Sequence, residues 1–229
     1  DDKGQVFMHI KAIEAYLKQT GGLPLNIKLL IEGEEEVGST HLDEFVRTHK
    51  AELATDVVVV SDSPMFDRGV PSICYGLRGL TYFQIDLRGS NTDLHSGSFG
   101  GALANPAFIL ARVLAQMKDR GGRVKIPGFY DDVRPLSEAE RAEWKQLPFN
   151  ETRYRKELGA PRLFGETGYS TLERVWARPT FEVNGLLSGF TGDGAKTVLP
   201  ATAMAKVSMR LVPDQNSDAI AELFETYLK

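Results

Sequence analysis

The sequence predicts a mixed α/β fold with two parts, a partial domain with parallel strands at 1–77 and an α+β, ferredoxin-like domain at 78–229. Two apolar runs, 25–31 and 57–60, flank a helical pattern in the first part. This strand, helix, strand order favours parallel pairing. In the second part, residues 81–88 alternate between apolar and polar side chains. Such alternation is typical of an antiparallel strand with one solvent-facing side.

The helices of the first part follow from apolar spacing and from their end signals. Apolar residues recur at helical intervals at positions 6, 10, 13 and 17, and Gly21 and Gly22 end the pattern. Ser39 is predicted to cap a second helix that carries Leu42, Phe45 and Val46. The apolar runs before and after this helix are expected to be buried strands.

The second part contains two helices and at least three antiparallel strands. One helix begins with Asn105 as its cap and Pro106 at its first position, and another begins near Ser217. Further strands are predicted at 181–187 and 202–211. Residues 129–178 are richer in charge and proline and are expected to be an insertion, with a helix near 138–146.

Composition excludes several classes of function. The chain has 229 residues, 42% of them apolar, with a net charge of −4 and a single cysteine, Cys74. No basic stripe is visible, which argues against a nucleic-acid partner, and no apolar run reaches the ~20 residues of a membrane span. Cys74 lies in an apolar stretch and is expected to be a buried thiol. The lack of a disulfide fits a reducing compartment, so we expect a cytoplasmic protein.

Carboxylates are concentrated where the two predicted strands end. Glu34, Glu35 and Glu36 lie between two glycines after the first run, and Asp62 follows the second. In open parallel sheets the ligand crevice lies beyond the carboxyl ends of the strands. Buried like charges are costly unless a cation or a proton offsets them. The pattern favours a metal site with a neighbouring carboxylate base, and a solvated acidic turn is the alternative.

Two further residues are candidates for ligand contacts. His95 lies in a glycine-rich loop, where the backbone can approach a ligand, although an ordinary loop histidine is equally compatible. Arg210 is on the polar side of the strand 202–211 and is free to hold a carboxylate, unless it only forms a surface salt bridge. The other histidines, His9, His41 and His49, fall on predicted helices and are expected to be ordinary surface or packing residues.

Seven segments resemble a known family in order along the chain. They are Asp1-Asp2-Lys3-Gly4, 32–39, Ser61-Asp62, 75–79, 93–97, 194–200 and 210–213. Together they resemble the carnosinase and cytosolic nonspecific dipeptidase branch of the dizinc metallopeptidases, metallopeptidase family twenty. The resemblance implies a peptidase catalytic domain followed by a lid, or dimerisation, domain.

The resemblance implies a role for each matching residue. Asp1 matches the carboxylate that bridges two metals, through a cis bond to Asp2, and Glu36 and Asp62 match ligands of the two zinc ions. Glu35 matches the general base. The remaining matches concern the substrate: His95 stabilises the oxyanion in the partner subunit's site, Thr197 contacts the substrate, and Arg210 holds its terminal carboxylate.

The family also has two histidine ligands that this sequence does not contain. Three of five expected protein ligands are present, so we expect a fragment that is inactive alone, from a homodimeric enzyme with two Zn²⁺, or Mn²⁺ or Co²⁺. The expected reaction is hydrolysis of dipeptides or short peptides with a free C-terminal carboxylate. The alternatives are an N-acyl-amino-acid deacylase or carboxypeptidase of the same fold, and a dimerisation module without turnover.

Overall fold

The computed structural model describes residues 2–229 and divides the chain into two compact units. One unit ends at Tyr75, and the other spans Gly76–Lys229. The prediction for the metal-bridging Asp1, including its bond to Asp2, falls outside the described residues. None of the helices described here is long and apolar enough to cross a membrane.

The described elements, in chain order, are nine α-helices and five strands. The helices are α1 (Lys3–Thr20), α2 (Leu42–Thr48), α3 (Lys50–Leu53), α4 (Ser96–Phe99), α5 (Pro106–Gln116), α6 (Glu138–Lys145), α7 (Glu151–Glu157), α8 (Thr171–Trp176) and α9 (Ser217–Leu228). The strands are β1 (Gly79–Arg88), β2 (Leu94–His95), β3 (Thr180–Ser188), β4 (Val198–Leu199) and β5 (Thr202–Leu211).

The unit ending at Tyr75 is helical where the spacing predicted helices. Helix α1 ends at Gly21, which adopts a left-handed φ of 73° and donates its N–H to the carbonyl of Leu17. Helix α2 is also present, but its cap is His41. The prediction of Ser39 as the cap was wrong, because Ser39 lies in a left-handed turn (φ 51°) two residues earlier.

The two predicted parallel strands do not form among the described residues. Residues 25–31 and 57–60 carry no strand pairing, and their apolar side chains are exposed, by 55% at Leu29 and 77% at Val58. A buried parallel strand needs neighbours for its backbone hydrogen bonds and cover on both faces. The described part of this unit provides neither, so the runs stay solvated.

The unit Gly76–Lys229 is built on a three-stranded antiparallel sheet in the order β1-β5-β3. The central strand β5 buries every second residue, from Ala203 to Leu211. This alternation places Lys206, Ser208 and Arg210 on the opposite face, as the sequence predicted. The mixed α/β fold class is therefore confirmed, with antiparallel pairing throughout the larger sheet.

Helices α5 and α9 supply the other half of the core. Asn105 caps α5 by accepting the N–H of Ala107, and Pro106 occupies the first position, as predicted. Leu110 from α5 and Phe224 from α9 are almost fully buried, and the Phe224 ring lies 4.6 Å from that of Phe83 on β1. Burying each such side chain contributes about 1.5–3 kcal/mol of transfer free energy.

The predicted insertion is fixed to the core by packing and by an internal ion pair. Its first residue, Phe129, is 1% exposed and belongs to the core. The predicted helix is present as α6, which starts with a capping box between Ser137 and Glu140. Nearer the sheet, the buried Glu166 accepts hydrogen bonds from Arg178. Cys74, expected to be buried, is exposed, because the apolar stretch that holds it is not covered by other described residues.

Candidate functional site

The glutamate triplet forms a tight turn that separates the three side chains. Residues Glu35–Val37 make a short 3-10 turn, and Gly38 ends it with a left-handed φ of 97°, a conformation that favours glycine. His41 Nδ1 lies 2.8 Å from Glu34 Oε2, and this hydrogen bond is the main cause that lowers the pKa of Glu34. Among the described residues, Glu35 and Glu36 have no ion-pair partner, so the turn presents both to solvent.

Two carboxyl groups of this unit, Asp2 and Asp62, meet in a hydrogen bond, and Asp2 was not among the predicted ligands. The pKa of Asp2 is raised by desolvation first, and then by a hydrogen bond to Asp62 and by the charges of Asp62 and Glu36. Glu36 and Asp62, the predicted ligands, are therefore neighbours of the same aspartate. Sequence reasoning missed Asp2 because an aspartate pair at the start of a chain is uninformative by itself.

These carboxylates fit a divalent cation through their chemistry. Two hydrogen-bonded carboxyl groups share a proton, and a cation could take the place of that proton. Between residues 2 and 229, however, no group of three or more His, Cys, Asp or Glu side chains is arranged to hold a metal ion. Glu36 and Asp62 are the predicted ligands that the structure describes, and the described residues do not assemble them into a metal site.

His95 and Thr197 are brought together by the short pairing of β2 with β4. The Gly97 N–H donates to His95 Nδ1 at 3.1 Å, so Nδ1 is an acceptor. The proton of the neutral ring is then on Nε2, which lies 3.0 Å from Thr197 Oγ1. The site therefore holds an imidazole N–H beside a hydroxyl, both in the exposed part of the loop.

The loop that carries His95 is constrained at two further points. Asp93 Oδ1 accepts the N–H of Ala201 at 2.9 Å, and Ser96 N–H donates to the Thr197 carbonyl at 3.0 Å. A Cβ at Gly97 would lie 2.9 Å from His95 Cε1, so this position has no room for a side chain. Position 97 therefore favours glycine because the imidazole ring is so close.

Arg210 lies on the open face of the sheet, with a second arginine close to it. Its register partners are Leu80 on β1 and Thr180 on β3. Arg78, just before β1, is half-buried, and its pKa is lowered by burial first and then by the charge of Arg210. Sequence reasoning missed Arg78, although the alternation of β1 puts positions 78 and 80 on the same face.

The predicted site residues thus form two groups, one in each unit. Glu35, Glu36 and Asp62 belong to the unit ending at Tyr75, and His95, Thr197 and Arg210 belong to Gly76–Lys229. Carboxylates in one unit, and an exposed histidine, hydroxyl and arginine in the other, are side chains suited to bind a cation and an anion.

Comparison with known proteins gives the family. Residues 75–229 match the M20 peptidase dimerisation domain. The chain belongs to the M20 peptidase family, which confirms the resemblance found in the sequence.

The relatives it matches include several dipeptidases. Beta-Ala-His dipeptidase of Homo sapiens is 35% identical over 100% of this chain and 46% of its own length. Cys-Gly metallodipeptidase DUG1 of Candida albicans is 36% identical over 97% of this chain and 46% of its own. A crystal structure of an M20 family metallo-carboxypeptidase from Sulfolobus solfataricus has a TM-score of 0.86 and 36% identity, over 99% of this chain and 51% of that one. The chain thus spans about half the length of these relatives.

Proposed function

We propose that this chain is part of a metal-dependent peptidase that hydrolyses dipeptides or short peptides with a free C-terminal carboxylate. The observation that carries the proposal is the membership of a peptidase family whose matched relatives include dipeptidases. Within the chain, Asp62 forms a hydrogen bond with Asp2, and the charge of Glu36 acts on the same carboxyl group. Residues 1–77 would be part of the catalytic domain and 78–229 the lid domain. The isolated chain would be inactive, and the whole enzyme would act in the cytoplasm.

Each residue of the proposed site has a chemical task. Asp1, Glu36 and Asp62 would hold two divalent cations, with zinc as the expected metal, and the cations would supply Lewis acidity. Glu35 would take a proton from the attacking water and return it to the leaving amine. His95 Nε2–H would donate to the oxygen that becomes negative, with Thr197 beside it, and Arg210 would hold the substrate carboxylate.

The different surroundings of Glu34 and Glu35 allow the assignment of the base to be tested. In the full-length peptidase, Glu35→Gln should lower kcat by about 10²–10⁴-fold while the metal content stays the same, because the amide cannot accept the proton. The matched control is Glu34→Gln, since Glu34 is already engaged by His41. Dipeptide hydrolysis and metal analysis measure the two effects. Full activity of Glu35→Gln, or an equal loss in both variants, would contradict the assignment of the base.

A carboxypeptidase is the second candidate, and one observation favours it. The Sulfolobus solfataricus protein with a TM-score of 0.86 is named a metallo-carboxypeptidase. A dipeptidase and a carboxypeptidase would both use Arg210 to hold the terminal carboxylate. The two activities therefore differ in the length of substrate that they accept. Turnover of tripeptides and longer peptides at rates similar to dipeptides would support the carboxypeptidase. A full-length protein that holds no metal and cleaves no peptide would instead be a binding module.

We also propose a homodimer formed through residues 78–229, which match a dimerisation domain. The edge strand β3 and helix α5 are the candidate surfaces, and both expose large apolar side chains, by 60% at Leu186 and 72% at Phe108. Leu186→Lys should shift sedimentation towards the monomer, because a charge would be buried in the contact. Leu158→Lys is the control, since Leu158 is equally exposed but lies after α7. An unchanged dimer in Leu186→Lys would remove β3 from the interface.

A further inference from the structure

Two arginines, Arg78 and Arg210, lie close together on the open face of the sheet in Gly76–Lys229. Leu80 is the direct register partner of Arg210, and Arg78 is two positions from Leu80 along the same strand direction. On an antiparallel pair, such diagonal positions lie within reach of long side chains. The register therefore places two guanidinium groups of like charge in one neighbourhood.

Arg78 differs from the other arginines that are not fully exposed. In residues 2–229 there are three others: Arg141 is paired with Glu173, Arg178 with Glu166, and Arg174 donates to the Glu166 carbonyl. Arg78 has no acceptor among the described residues, and its electrostatic neighbour is another cation. Partial desolvation of a guanidinium beside a like charge is unfavourable unless an anion offsets it.

The anion that fits Arg78 follows from its neighbour. In the proposed function Arg210 would hold the terminal carboxylate of the substrate, and the register places Arg78 on the same face beside it. A carboxylate has two oxygens that can each accept from a different guanidinium, so one anion can engage both arginines.

We propose that Arg78 acts with Arg210 as a two-arginine clamp for the C-terminal carboxylate of the peptide substrate. This inference rests on the proposed function and adds a residue that determines specificity. Each guanidinium would donate to one oxygen of the carboxylate, so that the anion offsets the repulsion between the two cations. A C-terminal amide would present its own N–H donors to a site made of donors, and would be rejected.

The test compares a dipeptide with the same dipeptide amidated at its C-terminus, in the full-length peptidase. Arg78→Met keeps the aliphatic bulk and removes the charge. It should raise KM for the free acid about 10- to 100-fold, the loss expected for a hydrogen bond to a charged group, with little change in kcat or in turnover of the amide. Arg78→Lys should recover part of the affinity. Arg88→Met is the control, because Arg88 lies on the same face at the other end of β1.

The outcomes separate this inference from the proposed function. If Arg210→Met abolishes the preference for the free acid and Arg78→Met does not, the clamp is wrong and the proposed function stands. If Arg78→Met lowers only the melting temperature, or weakens acid and amide equally, Arg78 is held by a protein acceptor and the clamp is wrong. If the wild-type enzyme cleaves neither compound, the proposed function itself fails.

Discussion

His95 Nε2 lies 3.0 Å from Thr197 Oγ1, although 102 positions separate the two residues in the chain. The pairing of β2 with β4 brings them together, with His95 opposite Val198. His95 Nδ1 accepts the N–H of Gly97, so the proton of the neutral ring is on Nε2 and faces the Thr197 hydroxyl. In the proposed mechanism this N–H would be the donor for the oxyanion, and Thr197 would hold it in place before the substrate binds.

Removing the Thr197 hydroxyl tests this arrangement. Thr197→Val keeps the shape of the side chain but leaves Nε2–H without its acceptor, so kcat/KM should fall about 2- to 12-fold, as expected for one net hydrogen bond. Thr197→Ser should retain most of the activity. Nitrogen NMR of the His95 ring should show the proton on Nε2 in both the wild type and the Ser variant. A proton on Nδ1 in the wild type would contradict the assignment.

Gly97 should tolerate no side chain, because a Cβ there would lie 2.9 Å from the imidazole. Gly97→Ala should displace His95 and lower kcat by more than about tenfold, while the thermal stability changes little, because the loop is exposed. Gly22→Ala is the control, since nothing lies within 4 Å of its added Cβ and its φ is not positive. Equal activity of both variants would show that the imidazole adjusts to the methyl group.

Local patterns predicted the elements whose partners are close in sequence or repeat regularly. The alternation of β5 and the Asn105 cap of α5 came out as expected because each depends on a few adjacent residues. The runs 25–31 and 57–60 were predicted as buried strands and are exposed. An unbroken apolar run shows that a segment is suited to burial, but the neighbours that would bury it must come from elsewhere.

The candidate site divides in the same way. Glu36 and Asp62 were expected to converge because parallel strands end at one edge, but those strands do not form among the described residues. Asp62 instead forms a hydrogen bond with Asp2. The His95–Thr197 contact depends on a two-residue strand pairing across about 100 residues, which no periodicity indicates. The half-buried state of Arg78 and the buried Glu166–Arg178 pair likewise depend on tertiary packing.

The Glu166–Arg178 pair should be a major source of stability for the insertion. Arg178 Nε and Nη2 donate to Glu166 at 2.7 and 2.9 Å, and both side chains are less than a tenth exposed. Glu166→Leu would leave a buried guanidinium unpaired and should cost about 3–5 kcal/mol in the free energy of unfolding. Adding Arg178→Met should recover more than half of that loss, because two apolar side chains leave no buried charge behind. Arg123, which also pairs with Glu166, is 53% exposed and can be solvated.

Urea unfolding followed by tryptophan fluorescence measures these changes, since the Trp144 and Trp176 rings meet edge to face at 5.4 Å in the same region. The control is Glu157→Leu, which breaks an exposed ion pair with Arg153 and should cost less than about 1 kcal/mol. If the double variant is no more stable than Glu166→Leu alone, the pair does not act through charge compensation.

The exposed run Val57–Val60 should make this chain prone to aggregation. Its four side chains are 73–77% exposed, in an extended segment with no strand partner among the described residues. Consecutive β-branched residues without charge are the pattern that pairs between chains. Val58→Lys should therefore slow aggregation of the isolated chain severalfold, as measured by light scattering. Val37→Lys is the matched control, since Val37 is 78% exposed but stands alone between Glu36 and Gly38. An equal effect of both substitutions would mean that net charge, and not the apolar run, controls the association.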